Sequence, residues 1–276
     1  MRIIFIGDIF GKIGRRAVAE VLPRWRKKYK PDFVIGNGEN LAHGVGMTEK
    51  TVRELLDAGV DCVTGGNHSF KAEGAKLMAR GDLPLVRPAN FPPGLPGRGD
   101  MVVESKDGKI RLLVVNLMGR VFFQSQYDDP FRKLDEILAR YHNSPPPPLN
   151  LRGGELNGIL VDFHCEATSE ANALGNYADG RVSAVLGTHT SMGTTDTRIL
   201  PSGTAYVTEV GGVQAVDSIL GEEKNGIIRS FLLQQPFKHT PVETGLCQIS
   251  AVLVEINETT KLAKSIKRID EQIVIE

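Results

Sequence analysis

The chain has 276 residues, 41% of them apolar, and its 33 Lys and Arg residues balance its 33 Asp and Glu residues. This balance excludes an overall electrostatic attraction to nucleic acid or to a membrane surface, so an anionic substrate would have to be held locally. The length allows a substantial core, and we expect one large α/β domain rather than two small ones.

Cysteine content and hydropathy indicate the compartment. Cys62, Cys165 and Cys247 are odd in number and widely spaced, which is typical of reduced, buried thiols. The first apolar run, at 3–6, is too short for a signal peptide, and no run approaches the ~20 apolar residues of a membrane span. We therefore expect a cytoplasmic protein without a membrane segment.

The first third of the chain repeats a strand, a polar turn and a helix. The predicted strands cover 2–6, 32–35 and 60–63, and the predicted helices cover 15–29 and, after an N-cap at Thr48, 49–58. Asp8, Glu39 and Asn67 follow the strands at intervals of about thirty residues, the length of a βαβ unit. Right-handed crossovers would place the strand ends along one edge of a parallel sheet, so these side chains should converge.

The turn after the third strand is Gly65-Gly66-Asn67-His68. Its two glycines allow the backbone to turn tightly and to approach a bound ligand. Asn67 and His68 would project from the carboxyl end of a strand, where open α/β sheets bind their ligands. Taken alone, the same residues also fit a surface turn with an exposed histidine.

The middle of the chain is rich in proline and glycine. Residues 81–100 predict an ordered surface connection, 110–115 a strand and 131–141 a helix. Four consecutive prolines at 145–148 cannot continue a helix, so the segment 143–154 predicts an exposed loop. Because apolar strands resume directly beyond it, we interpret this loop as an insertion within the domain.

Two later strands each end at a histidine. The strand at 158–163 leads to His164, and the strand at 182–186 leads to His189 through Gly187-Thr188. A single histidine is more often a core or loop residue than a ligand. Two histidines at successive strand ends, added to the three earlier polar ends, favour a metal site. The remaining predicted elements are helices at 168–177 and 226–234 and strands at 204–209 and 248–256.

The polar strand ends together supply oxygen and nitrogen donors without thiolate, a set that suits Mn, Fe or Zn. These candidate metal ligands are Asp8, Glu39, Asn40, Asn67, His164 and His189. Glu39 could bridge two ions about 3.5–4 Å apart, whose bridging hydroxide would attack phosphorus in line. His68 is adjacent to a ligand and could protonate the leaving alkoxide as the catalytic acid. This chemistry is phosphoester hydrolysis.

The ordered motifs Gly-Asp, Asn-Gly-Glu-Asn, Gly-Asn-His, Asp-Phe-His and Gly-Thr-His-Thr resemble those of the calcineurin-like metallophosphoesterases. Longer motifs, which extend over nearly the whole chain, resemble the YmdB-like bacterial phosphodiesterases within that group. They are Asn37-Gly38-Glu39-Asn40, Ala42-His43-Gly44, Val86-Arg87-Pro88-Ala89-Asn90-Phe91, Asp162-Phe163-His164, Glu166-Ala167-Thr168-Ser169-Glu170 and Thr195-Asp196-Thr197-Arg198-Ile199-Leu200.

The resemblance implies a single-domain α/β fold, a four-layer αββα sandwich, with a two-metal centre that often contains iron. It implies hydrolysis of cyclic nucleotides, including 2′,3′-cyclic species, with 3′,5′-cyclic species as further candidates. By resemblance, metal 1 is bound by Asp8, Glu39 and Asn40, metal 2 by Glu39, Asn67, His164 and His189, and His68 is the proton donor. We expect a homo-oligomer that binds a cyclic nucleotide or another small phosphodiester and forms no stable nucleic-acid complex.

The sequence departs from the family pattern near these ligands. Ser191 stands where the family usually has the second histidine of His-Thr-His, Ser69-Phe70-Lys71 where a Trp-Asp pair is common, and Thr208-Glu209 where Thr-Asp is usual. A serine hydroxyl is a weaker ligand than imidazole, so metal 1 should bind more weakly. This leaves open an alternative, a catalytically weakened paralogue that acts as a nucleotide- or partner-binding regulatory protein. Turnover with added metal favours the enzyme, and tight nucleotide binding without turnover favours the paralogue.

Overall fold

Two six-stranded sheets, joined by a smaller third sheet, form the centre of the molecule. The structure is a computed structural model that describes residues 1–143, 155–236 and 238–276. Within these residues the strands are β1 (Arg2–Ile6), β2 (Asp8–Ile9), β3 (Phe33–Asn37), β4 (Cys62–Thr64), β5 (Leu85–Val86), β6 (Asp100–Glu104), β7 (Arg111–Met118), β8 (Gly158–His164), β9 (Ala184–Thr188), β10 (Arg198–Ile199), β11 (Ala205–Val207), β12 (Gly212–Ala215), β13 (Gly245–Ile249), β14 (Ala251–Ile256), β15 (Ala263–Arg268) and β16 (Glu271–Ile275). The helices are α1 (Gly11–Tyr29), α2 (Glu49–Ala58), α3 (Gly74–Arg80), α4 (Pro130–Asn143), α5 (Thr168–Ala178) and α6 (Lys224–Leu233).

The strand order brings the predicted strand ends together. In the first sheet the order is β15-β14-β1-β3-β4-β5, and β1, β3 and β4 run parallel as neighbours. In the second the order is β10-β11-β9-β8-β7-β6, and β7, β8 and β9 run parallel. The third sheet has the order β16-β13-β12-β2. The expectation that the first three strand ends share one sheet edge is therefore confirmed.

The two large sheets pack face to face. Ile3 and Phe5 of β1 share a buried cluster with Leu112 and Val114 of β7 and with Leu160 of β8. The central strands are apolar along most of their length because both of their faces are covered.

Helices cover the two outer faces. Residues of α1 and α2 pack on the first sheet, and residues of α4 and α5 pack on the second. The predicted helix after Thr48 is confirmed, since the Thr48 hydroxyl accepts a hydrogen bond from the Thr51 backbone N–H in a capping box. The layers confirm the predicted single-domain αββα sandwich.

Two predictions of local structure were wrong. Residues 81–100 are not simply a surface connection, because they include β5, and Arg87 and Asn90 in this segment are buried. The apolar run at 248–256 is not one strand. The chain changes sheet at Ser250, so that β13 pairs with β16 in the third sheet and β14 pairs with β1 in the first.

The three cysteines are free and buried, as predicted. Among the residues described here, no helix is long and apolar enough to cross a membrane. The predicted proline-rich loop at 143–154 lies outside the described residues, except for Asn143, at which α4 ends.

Candidate metal centre and active site

The predicted ligands meet where strands of both large sheets end. Glu39 follows β3, Asn67 follows β4, His164 is the last residue of β8 and His189 follows β9. Glu39, His164 and His189 each present a ligand atom, and these atoms lie within 4.8 Å of one another. The sandwich thus brings together donors that are far apart in the sequence.

Three acceptor atoms lie around the Nε2 atom of His164. His164 Nε2 lies 3.2 Å from Glu39 Oε1, 3.0 Å from Asn67 Oδ1 and 3.1 Å from His189 Nδ1. A carboxylate oxygen, an amide oxygen and two imidazole nitrogens therefore face each other, with Glu39 and His164 buried and Asn67 and His189 half-buried. Such a group needs a proton or a cation at its centre, because burial makes unpaired acceptors costly.

The orientation of His164 shows which of its nitrogens is available. The Thr188 hydroxyl donates to Asp162 Oδ1 at 2.6 Å and lies 2.9 Å from His164 Nδ1. Because its only proton goes to the carboxylate, Thr188 accepts from Nδ1–H, which leaves the Nε2 lone pair for the cluster. A second hydrogen bond of this kind commonly orients a metal-binding histidine. Asn37 supports Asp162 by donating to its Oδ2 at 3.0 Å.

The electrostatics agree with a cation site. Burial would raise the pKa of Glu39, but attraction to His164 and hydrogen bonds from His164 and His68 outweigh it and lower the pKa to about 2. Burial would lower the pKa of His164, but Glu39, Asp8 and Asp162 raise it to about 9. Burial and the neighbouring His164 lower the pKa of His189 to about 3. The protein therefore concentrates negative charge around His164.

Gly66 allows these groups to approach the backbone. A Cβ atom at this position would overlap Glu39 Oε2 and His164 Nε2. The sequence-based interpretation that the two glycines permit a close approach is thus supported by the structure at Gly66.

Asp8 is close enough to Glu39 and His164 to interact with both of them electrostatically. Its Oδ1 is buried and has no hydrogen-bond partner among the described residues, and its Oδ2 accepts from the Ser191 hydroxyl at 3.3 Å. Burial and repulsion from Glu39 raise the pKa of Asp8 well above its ordinary value. A buried carboxylate oxygen without a partner fits a metal ligand, so the donor set suits the two-metal centre that the fold implies.

His68 is held beside the cluster. Its backbone N–H donates to Glu39 Oε2 at 3.0 Å, and its Nδ1 lies 2.8 Å from Asn40 Oδ1. Asn40 also donates to Glu39 Oε1 at 3.2 Å. Here the amide oxygen of Asn40 faces His68, so Asn40 orients the predicted proton donor. Burial is the main cause that lowers the pKa of His68.

Several residues that support the site were not assigned a role from the sequence. Glu166 Oε2 lies 3.0 Å from His189 Nε2, and Glu209 accepts from the Thr190 backbone N–H at 2.8 Å. Asp162 and Thr188 orient His164, as described above. Asp162 and Glu166 belong to the motifs quoted for the family resemblance, but only the folded chain shows which histidine each one contacts.

Comparisons with known proteins show the family to which the chain is similar. A family model described as YmdB-like protein matches residues 4–269. A 2′,3′-cyclic-nucleotide 2′-phosphodiesterase of Bacillus subtilis (strain 168) is 47% identical over 271 residues, which cover 98% of this chain and 96% of the relative.

Two crystal structures are also similar along their whole length. A hypothetical protein from Thermus thermophilus is 39% identical with a TM-score of 0.87, and 99% of each chain is covered. A novel phosphatase from Mycoplasma pneumoniae is 32% identical with a TM-score of 0.86, over 100% of this chain and 94% of the other. The fold is that of the metallophosphoesterases, and the chain belongs to the YmdB-like protein family.

Proposed function

We propose that the protein is a metal-dependent phosphodiesterase that hydrolyses 2′,3′-cyclic nucleotides. The observation that supports this most strongly is the convergence of three acceptor atoms on His164 Nε2, together with the buried, unpartnered Oδ1 of Asp8. The printed activity of the Bacillus subtilis relative, at 47% identity, supports the substrate class.

The donor set favours Fe, Mn or Zn. Asp8, Glu39 and Asn40 would hold metal 1, and Glu39, Asn67, His164 and His189 would hold metal 2. When bound, the ions would supply water activation and neutralise charge on the phosphoryl group. Ser191 offers only a hydroxyl beside Asp8, so the first position should be the weaker one.

His68 supplies the proton for the leaving group. Its Nδ1–H is directed at Asn40 Oδ1, so the opposite nitrogen, Nε2, faces away from that contact. The side chain retains 30% of its exposure, which lets a substrate reach it. An imidazolium held in this way can protonate the alkoxide as the ester bond breaks.

A substrate screen tests the proposal. Purified protein is incubated with Mn²⁺ or Fe²⁺ and either 2′,3′-cyclic or 3′,5′-cyclic nucleotides, and the products are identified by chromatography. We expect hydrolysis of the 2′,3′-cyclic species by the wild type and none by His164→Ala. The 3′,5′-cyclic species form a second candidate class. Equal turnover by both proteins, or none by the wild type, would contradict the proposal.

One observation favours a second function. The Ser191 hydroxyl contacts Asp8 at 3.3 Å, at the position where the family resemblance implies an imidazole, which suits a paralogue that binds nucleotides without hydrolysing them. Nanomolar to micromolar nucleotide binding without turnover at any metal concentration would favour this regulatory function.

Two further expectations stay predictions. The three free, buried cysteines are compatible with a reducing compartment, which supports the predicted cytoplasmic location. A homo-oligomer is also predicted, and sedimentation of the purified protein would test it.

A further inference from the structure

A row of aromatic rings begins beside His189, a member of the metal-ligand cluster. The Phe123 ring lies 4.9 Å from the His189 ring, measured between centroids. Tyr127 meets Phe123 edge-on at 6.1 Å and stacks on Phe91 at 5.0 Å. The mechanism proposed above uses none of these three aromatic side chains.

Phe122, next to this row, has two unusual features. Its side chain is 82% exposed, although a large apolar ring gains free energy when it is buried. Its backbone has φ +68°, which is strained for a bulky residue. Strained backbone concentrates at ligand-binding sites, so an exposed ring held in this conformation suggests that it contacts a ligand.

Asn90 fixes the segment around Phe122 from one side. Its side chain accepts from the Met118 backbone N–H at 2.8 Å and donates to the carbonyls of Met118 and Asp128, also at 2.8 Å. The Asp128 backbone N–H donates a hydrogen bond to the Asn90 backbone carbonyl at 2.9 Å. One buried amide therefore ties together both ends of the segment that contains the aromatic rings.

Glu170 fixes the same segment from α5. Its carboxylate accepts from the backbone N–H groups of Arg120 at 3.0 Å and Val121 at 3.1 Å. The Gly119 N–H also donates to the carbonyl of His164, a proposed metal ligand, at 2.9 Å. Phe122 thus stands on a preorganised loop attached to the metal-ligand cluster, and less conformational entropy is lost when such a loop binds a ligand.

We propose that Phe122 stacks on the nucleobase of the substrate, while the phosphodiester lies at the metal-ligand cluster. This inference rests on the proposed function. Only one ribose ring separates the base from the phosphodiester in a cyclic nucleotide, and Phe122 is one residue from Phe123, which contacts His189. Because every base has a π-face, stacking of this kind should accept purines and pyrimidines.

The test compares two substrates that differ only in the base. These are adenosine 2′,3′-cyclic phosphate and 1-O-methylribose 2,3-cyclic phosphate, assayed with Mn²⁺. We expect Phe122→Ala to lower kcat/KM for the adenosine substrate ~5- to 150-fold, the range for loss of one base–aromatic stack. The base-free substrate should be hydrolysed as by the wild type, and Phe122→Trp should retain full activity on both.

Two variants control for effects on the loop and on the surface. Phe122→Gly also removes the ring, but glycine adopts a backbone with φ > 0 without strain. Its kcat/KM for each substrate should therefore equal that of Phe122→Ala. Phe231→Ala removes an aromatic ring of 81% exposure on α6, a helix that carries none of the proposed site residues. It should leave both substrates unaffected.

Equal losses on both substrates, or no loss on either, would overturn the stacking role. If the wild type hydrolyses neither substrate, the proposed function fails, and binding of adenosine 3′-monophosphate to the wild type and to Phe122→Ala decides the stacking role separately. Weaker binding by Phe122→Ala would support the subsite, and equal affinities would contradict it.

Discussion

Two neighbouring side chains, Asn40 and Glu39, hold His68 in position. Asn40 accepts from its Nδ1–H and Glu39 accepts from its backbone N–H, so two proposed metal ligands position the imidazole. Loss of the proton donor should therefore be separable from loss of a metal by mutation.

His68→Ala should keep the metal content of the wild type and lose rate. The loss should be ~10²–10⁴-fold for nucleoside alkoxide leaving groups, because these need a proton. It should be much smaller for p-nitrophenyl esters, whose leaving group is a stable anion. Elemental analysis and kcat for the two substrate types are the measurements. If this variant lost metal, His68 would be a ligand and not the acid.

We expect Ser191 to weaken metal binding at the first proposed position. It lies beside Asp8 with φ +58°, a conformation that histidine adopts more readily than most residues. Ser191→His should restore an imidazole donor, raise occupancy toward about two ions per chain and increase turnover at low free Mn²⁺. The control is Ser191→Ala, which should gain neither metal occupancy nor turnover at low free Mn²⁺. A wild type that already retains two ions would show that another residue supplies the missing ligand.

At the scale of elements, the pairing of β8 with β9 places Thr188 between Asp162 and His164. Thr188→Val keeps the shape of the side chain but removes the hydroxyl, so His164 Nδ1–H loses its acceptor. We expect Mn²⁺ affinity to fall about 10–100-fold, as for other partners that orient a metal-binding histidine. Calorimetric titration measures the change. Thr188→Ser retains the hydroxyl and should bind Mn²⁺ as the wild type does, and equal affinities of all three proteins would contradict this role.

The elements also show what the sequence could predict. Apolar runs that stop at polar residues predict the strand ends of a parallel sheet. The sequence could therefore predict that four side chains lie near one another at these ends: Glu39, Asn67, His164 and His189. The change of sheet at Ser250 was not predictable, because an apolar run does not reveal which neighbour each half will pair with. The contact of Glu166 with His189 depends on three-dimensional packing and has no signal in local sequence.

For the whole molecule, Glu209 links stability to pH. Burial raises its pKa from 4.5 to about 7, although backbone N–H groups of Gly211 and Thr190 oppose the shift. The folded state therefore binds more protons than the unfolded state between these values, and stability should fall as pH rises from about 4.5 to 7. The contribution is about 3 kcal/mol at most. Urea unfolding of metal-free protein at several pH values measures it.

Glu209→Gln is the matched variant for this prediction. It cannot ionise, so its free energy of unfolding should lack this part of the pH dependence. One of the donors that face Glu209 would lose its acceptor, which lowers stability by an amount independent of pH. A wild type and a variant with parallel pH profiles would show that Glu209 does not titrate in this range.

We expect the acceptor cluster around His164 to bind the metals on which phosphodiester hydrolysis by this chain depends. The most direct measurement is titration of Mn²⁺ into metal-stripped protein, with bound metal and the initial rate of adenosine 2′,3′-cyclic phosphate hydrolysis recorded on the same samples. The account predicts no turnover without metal, a rate that rises with occupancy, and neither tight binding nor turnover in Asn67→Ala. Turnover in the stripped protein, or full activity in Asn67→Ala, would contradict it.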